Sequence, residues 1–369
     1  MAAITYKCPN CGGGLIFEPN AQKYRCEYCL SDFTQEQLEE IWEKQKEAEA
    51  GDEVQPESEV GMPSEPQSGQ PESETGQPEA AVLYTCPSCG AQIVTDETTS
   101  ATFCYYCHNP IVLGGRLEGS FKPDYVIPFR IDRKKAEEIF SQWISHKRFV
   151  PEAFYNKKQI ETMTGVYFPY WLYGCRVEGQ LKAQGTRLRV WTAGDLRYTE
   201  TKIYDVDRQG TMDVDHVARG ALQKANRELV DSVLPYKMEE KKDFAMGYLS
   251  GFLAENRDME KQQFVQEVQS EVREFALSNL QAQVGDYSSV QIQQKNVTVS
   301  GEEWSYALLP VWTLTYNDKA RGKIYYFALN GQTGKVCGEL PVDNKKLIIL
   351  FLSVFLPLFV LLLIGGYFL

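Results

Sequence analysis

Two copies of one cysteine pattern constrain this chain more than any other feature. The chain has 369 residues and ten cysteines, and eight of the cysteines recur with an offset of 78 residues. Each copy has two Cys-x2-Cys pairs: Cys8, Cys11, Cys26 and Cys29, then Cys86, Cys89, Cys104 and Cys107. Each pair turns the backbone so that two sulfurs face one ion, and four thiolates form the closed tetrahedral shell of structural Zn²⁺. The repeat therefore predicts two small zinc ribbons, over residues 1–33 and 81–115, which hold two structural zinc ions.

Other chemistries explain these cysteines less well. An iron–sulfur cluster stays open as the minor alternative, because four thiolates also suit iron. Cys107 and His108 end a C-x-x-C-H pattern that is typical of haem attachment, but both of its cysteines already belong to the second ribbon. Four protein ligands leave no open coordination position, so we do not expect a catalytic metal.

The C-terminal segment is predicted to cross a membrane. Residues 347–369 contain no charge, and as a helix they would extend roughly 35 Å, enough for a hydrocarbon core of about 30 Å. Lys345 and Lys346 precede this run, and positive flanking charge marks the cytoplasmic side. We therefore expect a single-pass anchor over residues 346–369 with the N-terminal bulk in the cytoplasm. There a reducing environment keeps thiols available for metal.

The net charge of −12 belongs to one short segment. Residues 34–80 hold 14 acidic and 2 basic residues. A helix is predicted over 34–50, with Thr34 and Gln37 as a capping box. Residues 51–80 are rich in Pro, Glu, Ser and Gly and predict a disordered, extended linker that lets the first ribbon move far from the rest of the chain. A solvated spacer is the simpler interpretation, and binding of a basic partner is the alternative.

Local charge favours protein partners over nucleic acid for the ribbons. Residues 81–115 contain no Lys or Arg, whereas nucleic-acid binding depends on basic residues that displace counterions from phosphates. Phe103, Tyr105 and Tyr106 could stack on bases, but without a basic groove they fit an apolar contact surface for protein better. Nucleic-acid binding is therefore kept as the alternative function.

Residues 116–345 predict an antiparallel-sheet-rich α+β body in the cytosol. Helices are expected over 132–144, 217–234 and 257–282, and Asp132 is the cap of the first. Strands are expected over 125–130, 166–177, 179–191, 196–206, 290–299, 307–316 and 323–329, with a turn at Asn330 and Gly331. A Pro-x-Trp motif at Trp171 returns at Trp312, which indicates duplicated strand units with both tryptophans in the core rather than in a ligand platform.

The body shows no set of catalytic residues, so we do not expect an enzyme. Cys175 and Cys337 lie outside the ribbons, and neither has an evident histidine base nearby in sequence. The most concentrated acidic residues of the body are Asp205, Asp207, Asp213 and Asp215. Solvent-facing positions on antiparallel strands explain this group, and a divalent-ion site is the alternative. An enzyme that uses this group or Cys175 is the remaining hypothesis.

Several stretches occur together: YKCPNCGGGL with YRCEYC, YTCPSCGA with FCYYCHNPIVL, LLPVWTLTY, YYFALNGQTGKVCGELPVD and the apolar tail. Over essentially the whole chain they resemble Firmicutes tail-anchored membrane proteins with two TFIIB-type zinc ribbons. Proteins of that kind are encoded beside PspA-like and SPFH proteins in membrane-stress operons. The resemblance implies a membrane adaptor that recruits such partners, and it carries over only the eight zinc cysteines and the anchor.

Overall fold

The computed structural model describes residues 3–41, 82–104, 107–117, 119–225, 227–319 and 321–368. Within them the chain has the predicted α+β fold, with antiparallel sheets, two four-cysteine groups and one apolar C-terminal helix. A helix, α1, begins at residue 35 and is described to residue 41. The predicted capping box is present, because the Gln37 amide donates to Thr34 Oγ1 at 3.3 Å and the Thr34 amide donates to Gln37 Oε1 at 2.9 Å. The rest of this predicted helix and the predicted disordered linker lie outside the described residues.

The remaining elements follow in chain order. The strands are β1 Ala3–Ile4, β2 Leu15–Glu18, β3 Lys23–Cys26, β4 Asp32–Phe33, β5 Val82–Thr85, β6 Gln92–Thr95, β7 Thr99–Phe103, β8 Pro110–Leu113, β9 Tyr125–Val126, β10 Thr164–Ala193, β11 Leu196–Gly220, β12 Lys242–Asp243, β13 Leu253–Glu255, β14 Ser289–Asp318, β15 Lys323–Asn330 and β16 Val336–Gly338. The helices are α2 Arg133–Ser145, α3 Glu152–Tyr155, α4 Lys157–Ile160, α5 Arg227–Ser232, α6 Val265–Ala282 and α7 Asn344–Phe368.

Three very long strands form the middle of the body. β10 and β14 are 30 residues each and β11 is 25, and β10 pairs antiparallel with both of the others. At about 3.3 Å per residue, β10 is roughly 100 Å long. The separate strands predicted over 166–177 and 179–191, and over 290–299 and 307–316, were wrong, because each pair is one continuous strand.

Glycines explain why those breaks were predicted. Gly179 lies within β10, and a Cβ there would come 2.8 Å from Cδ1 of Leu280, so the residue provides room for α6 rather than a turn. Gly301 has a φ of +60° and lies where the β10–β14 register shifts, so it forms a bulge inside β14. Sequence alone does not distinguish these two roles of glycine from a turn, because all of them favour a residue without a Cβ.

The helix predictions of the body were partly confirmed. Asp132 caps α2, since its Oδ1 accepts a hydrogen bond from the Lys135 amide at 2.7 Å. The helix predicted over 217–234 was wrong, because β11 continues to Gly220 and only α5 is helical there. α6 begins at Val265, later than predicted, and one face packs on the long strands through Val268, Val272, Ala276 and Leu280.

The body consists of two units with the same order of elements, which meet where β10 pairs with β14. In the first unit β9 and α2 precede β10, and in the second unit β13 and α6 precede β14. β13 pairs in parallel with β10, and β9 pairs in parallel with β14, so each short strand joins the other unit's long strand. The duplicated strand units predicted from the Pro-x-Trp motif are therefore present.

The two tryptophans of that motif have matching surroundings. Trp171 Nε1 donates to the Met259 carbonyl and Trp312 Nε1 donates to the Ile131 carbonyl, each at 2.9 Å. Both acceptors lie six residues after the start of the preceding short strand, Leu253 or Tyr125. Both side chains are buried. They are core residues, as expected.

Both ribbons are joined to the body. In the second ribbon, β7 pairs with β13 through Ala101 and Ala254, so that β7 and β8 belong to the same sheet as β10. In the first ribbon, β1 pairs with β8, and the Phe17 amide donates to the Ser250 carbonyl at 3.0 Å. The expectation that the first ribbon moves far from the body was wrong, because its apolar residues bury themselves against the body.

The apolar helix α7 leaves the body at the base of the long strands. Residues 344–364 have a mean hydropathy of 3.2, and none of the most apolar window is buried. The Asp343 amide donates to the Phe149 carbonyl at 2.7 Å, and Lys346 Nζ donates to the Val150 carbonyl at 2.7 Å. The helix is compatible with a single membrane span. The β10–β11 turn lies at the end of the sheet that is opposite to α7.

Candidate metal centres

The same backbone turns build both four-cysteine groups. The Gly12 and Gly90 amides donate to the carbonyls of Cys8 and Cys86, and both glycines have positive φ, +74° and +75°. A side chain would be strained at this φ, which explains the Gly after each first Cys-x2-Cys pair.

The second pair in each ribbon forms an equivalent turn. The Leu30 amide donates to the Cys26 carbonyl at 3.0 Å, and the His108 amide donates to the Cys104 carbonyl at 2.9 Å. Leu30 and His108 have φ of 59° and 58°. His108 therefore occupies the turn position that Leu30 occupies in the first ribbon, and its place after Cys107 is explained without haem.

The eight predicted cysteines gather into two groups of four, with all sulfurs of a group within 4.8 Å of one another. In the first, Cys8 and Cys29 are 3.5 Å apart and Cys11 and Cys26 are 3.4 Å apart. In the second, the separations are 3.7 Å for Cys86–Cys107 and 3.6 Å for Cys89–Cys104. A tetrahedron with metal–sulfur bonds of about 2.3 Å has edges of about 3.8 Å, so each group fits a single metal ion and is consistent with zinc.

One cysteine of each pair is fixed in the ribbon core and the other faces outward. Cys8, Cys26, Cys86 and Cys104 are buried, whereas Cys11, Cys29 and Cys89 are exposed and Cys107 is intermediate. Around the first group, the fully buried Leu15 and Tyr24 form the apolar support. The buried sulfurs are held in place by the ribbon core and set the geometry of the group. The more exposed sulfurs complete the four-sulfur group on the solvent side.

The thiols differ in acidity. The side-chain hydroxyl and then the backbone amide of Ser31 stabilise the thiolate of Cys29 and lower its pKa to about 6. Burial, and after it the neighbouring sulfurs of Cys104 and Cys89, raise the pKa of Cys107 to about 12. A divalent ion offsets such crowding because it binds thiolates and releases their protons.

A cleft of about 690 Å³ lies where the two ribbons meet the body. Phe17 and Arg25 line it from the first ribbon, Phe103 from the second ribbon, and Phe252 and Trp312 from the body. Sequence reasoning singled out Phe103 as a contact residue but missed the cleft, because the cleft needs three parts of the chain that are distant in sequence. Tyr105 and Tyr106 lie outside the described residues.

The acidic group of the body does not form a compact site. Asp205, Asp207 and Asp213 pair with Gln184, Lys182 and Arg176 along the single strand β11. A turn between Asp207 and Asp213 could bring their carboxylates together, but Gly210 lies inside β11 opposite Gly179 and the strand is continuous. Among the described residues, the groups of three or more ligands close enough to hold a metal ion are the two cysteine groups.

The two remaining cysteines lie within strands of the body. Cys175 is in β10, where burial raises the pKa of its thiol. Next to it, Tyr173 Oη donates to Glu302 Oε2 at 3.1 Å. Cys337 is half-buried in β16. Because the thiolate is the nucleophilic form, the environment of Cys175 disfavours nucleophilic chemistry.

No protein-family model and no solved structure matches this chain. The chain is similar to a curated protein described as the uncharacterized protein YdjG of Bacillus subtilis strain 168. The two are 33% identical over 235 residues, which cover 64% of this chain and 68% of YdjG.

Proposed function

This chain belongs to the same family as YdjG, and from its architecture we propose that it is a zinc-binding, tail-anchored membrane adaptor that presents its ribbons to protein partners at the cytoplasmic face. One observation carries the proposal. Two four-sulfur groups with tetrahedral spacing are fixed to a body that ends in an exposed helix of membrane-spanning length. We propose no enzymatic activity.

Zinc is the proposed ion in both groups. The short sulfur–sulfur distances favour one ion over a multi-iron cluster, whose cysteine ligands are spread over several iron atoms. A cytosolic location keeps the thiols reduced, and the closed four-thiolate shell suits a structural role. The ions hold the ribbon folds, and the contact surface is provided by other side chains.

The proposed orientation rests on the basic residues at the start of α7. Lys345 and Lys346 immediately precede the apolar run, and Lys346 Nζ donates to the Val150 carbonyl of the body. Positive charge at this position favours the cytoplasmic side. Both ribbons and the long strands would then lie in the cytoplasm.

The proposed contact surface is the apolar rim of the ribbons. Tyr28 is 71% exposed, Leu30 is 61% exposed and Val94 is 55% exposed, although each lies in or near a metal-binding turn. These residues, together with the cleft that Phe103 lines, give an apolar surface next to the metal groups. Exposed apolar patches of this kind are typical of protein contacts. The docked ribbons would present this surface at a fixed distance and angle from the body.

A membrane pulldown with matched variants tests the adaptor proposal. Full-length protein is crosslinked in native membranes and its partners are identified, with PspA-like and SPFH proteins and membrane-stress conditions probed first because of the resemblance. We expect Tyr28→Ser with Leu30→Ser, and separately Cys86→Ser with Cys89→Ser, to lose partners that the wild type recovers. The matched control is Leu196→Ser with Ile203→Ser, two exposed apolar residues of the distant β10–β11 hairpin.

The adaptor proposal would be wrong if the wild type recovered no partner, or if both ribbon variants recovered every partner that the wild type recovers. The purified soluble part should also fail to shift DNA or RNA at low salt, where electrostatic binding is strongest. A salt-dependent shift would favour a membrane-tethered nucleic-acid-binding protein instead.

A further inference from the structure

A second pocket lies at the point where α7 leaves the body. It has a volume of about 390 Å³, and its walls are residues 146–150, which follow α2, and residues 340–342, which lead into α7. Phe149, Val150 and Pro341 make the inner part apolar, and Lys147 and Arg148 lie at the exposed rim. The pocket therefore combines an apolar interior with a cationic opening.

The basic residues at this rim are available for an anion. Within the part of the chain that the structure describes, neither Lys147 nor Arg148 forms an ion pair, and Lys147 Nζ lies 5.7 Å from the centre of the Trp143 ring. Among the acidic residues next to the pocket walls, Glu339 pairs with Lys323 Nζ at 2.9 Å, and Oδ1 of Asp343 accepts from the Lys345 and Lys346 amides at 3.0 and 3.4 Å. Glu152 lies four residues after Arg148, and within the described residues neither it nor Asp343 forms an ion pair with the rim.

The position of the pocket determines the kind of anion it meets. Val342 lines the pocket, α7 begins two residues later at Asn344, and its apolar surface begins at Leu347. The three helical residues from Asn344 to Leu347 rise about 5 Å, close to the roughly 5–7 Å of the headgroup layer on one side of a bilayer. The direct hydrogen bonds from Asp343 and Lys346 to the 146–150 segment keep the rim beside the first turn of the span.

Two helix dipoles act on this site in opposite directions. α2 ends at Ser145, and its carbonyl end disfavours an anion by a modest amount that falls off within one turn. α7 begins at Asn344, but Asp343 already satisfies its first amides. An anion must therefore be held by the charged side chains themselves, and each basic residue near an anionic lipid surface favours binding by roughly five-fold.

We propose that this pocket binds the phosphate headgroup of an anionic phospholipid, with Lys147 and Arg148 on the phosphate and the acyl chains along α7. The proposal rests on the membrane anchoring in the proposed function but not on the adaptor role. Lys346 acts as a positioning residue, because its bond to Val150 holds the rim against the span. The bound lipid would fix the height of the body above the bilayer.

Lipid binding to the full-length, metal-loaded protein tests this proposal. The protein in detergent micelles is titrated with phosphatidylglycerol or with phosphatidylcholine of the same acyl chains, and bound lipids are counted by native mass spectrometry. We expect the wild type to bind phosphatidylglycerol at least about 10-fold more tightly than phosphatidylcholine. Lys147→Gln with Arg148→Gln should weaken phosphatidylglycerol binding by about 30-fold, two residues at roughly five-fold each.

The matched control removes two exposed basic residues at the far end of the long strands, Arg197→Gln with Lys202→Gln, and should leave binding within about two-fold of the wild type. Equal binding of phosphatidylglycerol by the wild type and the Lys147/Arg148 variant would overturn the proposal, and so would equal binding of the two lipids. Displacement of the lipid by millimolar inorganic phosphate would show a site for free phosphate and would equally overturn it.

Membrane pelleting separates this proposal from the adaptor proposal. The Lys147/Arg148 variant should stay in the membrane fraction after carbonate extraction, because α7 is unchanged. If this variant loses its lipid selectivity but stays in the membrane and keeps its protein partners, the effect is therefore due to the pocket alone. Retained lipid selectivity with no partners would contradict the adaptor role and leave the lipid site standing.

Discussion

At the scale of single residues, Gly331 shows how closely the two units of the body meet. A Cβ at this position would lie 2.6 Å from two ring atoms of Phe129 and 2.9 Å from Cβ of Pro310. Phe129 is fully buried and stacks on Phe252 at a centroid distance of 4.2 Å, so its ring has little room to move. Gly331 follows β15, and because it has no side chain this turn can lie between Pro310 of β14 and Phe129 of the segment after β9.

We therefore expect Gly331→Ala to lower the free energy of unfolding by about 1–3 kcal/mol, the usual cost of an overpacked core. The control is Gly210→Ala, which lies in β11 with nothing within 4 Å of its added Cβ and should be neutral or slightly stabilising. Thermal unfolding of the purified full-length variants measures the difference. Equal midpoints of thermal unfolding for the two variants would show that the ring of Phe129 can move to make room for the added methyl group.

The cysteines were predictable from sequence and the glycines were not, for a physical reason. A tetrahedral four-thiolate site requires sulfurs at short, repeated spacings along the chain, so its ligands are visible as a local pattern. Gly179 and Gly331 serve contacts with Leu280 and Phe129, which are distant in sequence. A local pattern contains no sign of such partners. The sequence predicted a strand boundary at Gly179 that does not exist, whereas the turn predicted at Gly331 is present but its contact with Phe129 was not visible.

At the scale of elements, α6 holds the outer part of the long strands together. Leu280 near its C-terminal end is 6% exposed and packs in a small apolar cluster with Leu181, Ala183 and Val206. Phe275 also belongs to the apolar pattern of this helix, but it is 57% exposed. The helix was predictable from its periodicity. The exposure of Phe275 was not, because an amphipathic pattern tolerates apolar residues at the edge of its apolar face.

Truncation of these two side chains should have very different costs. Leu280→Ala is expected to lower the free energy of unfolding by about 2–4 kcal/mol, because it removes buried surface and leaves a cavity. Phe275→Ala, on the same helix but exposed, should change it by less than about 0.5 kcal/mol. Chemical denaturation followed by circular dichroism compares the two. A similar loss for both would mean that something covers Phe275 in solution.

At the scale of the whole molecule, the first metal group is connected to the body through the packing of the first ribbon on residues 247–253. Ile16 contacts Gly251 so closely that an added Cβ would clash with its Cγ2, and the Leu15 carbonyl accepts from Ser250 Oγ. Gly247 approaches the buried Tyr24 in the same way. A change in the ribbon is therefore transmitted to residues 247–253, which lead into β13.

Chelation should make this connection visible. Because metal binding supplies much of the folding free energy of small four-cysteine modules, metal removal should unfold the ribbons and raise amide hydrogen exchange in residues 15–26 and 86–104. We expect exchange to rise in residues 247–253 as well, and to stay unchanged in residues 176–184 of β10. Protected amides at 247–253 after complete metal loss would indicate that the body keeps this segment folded without the ribbon.

The short strands β9 and β13 each pair with the long strand of the other unit, and this determines the order in which the body can be completed during synthesis. Tyr125 and Val126 of β9 pair with Ala307 and Leu308 of β14, which are made 182 residues later. Until then the first unit presents an unpaired strand edge, a feature that invites pairing with other chains. β14 is made shortly before α7, so this edge stays open through most of translation, and the sheet is completed only as the candidate membrane helix is made.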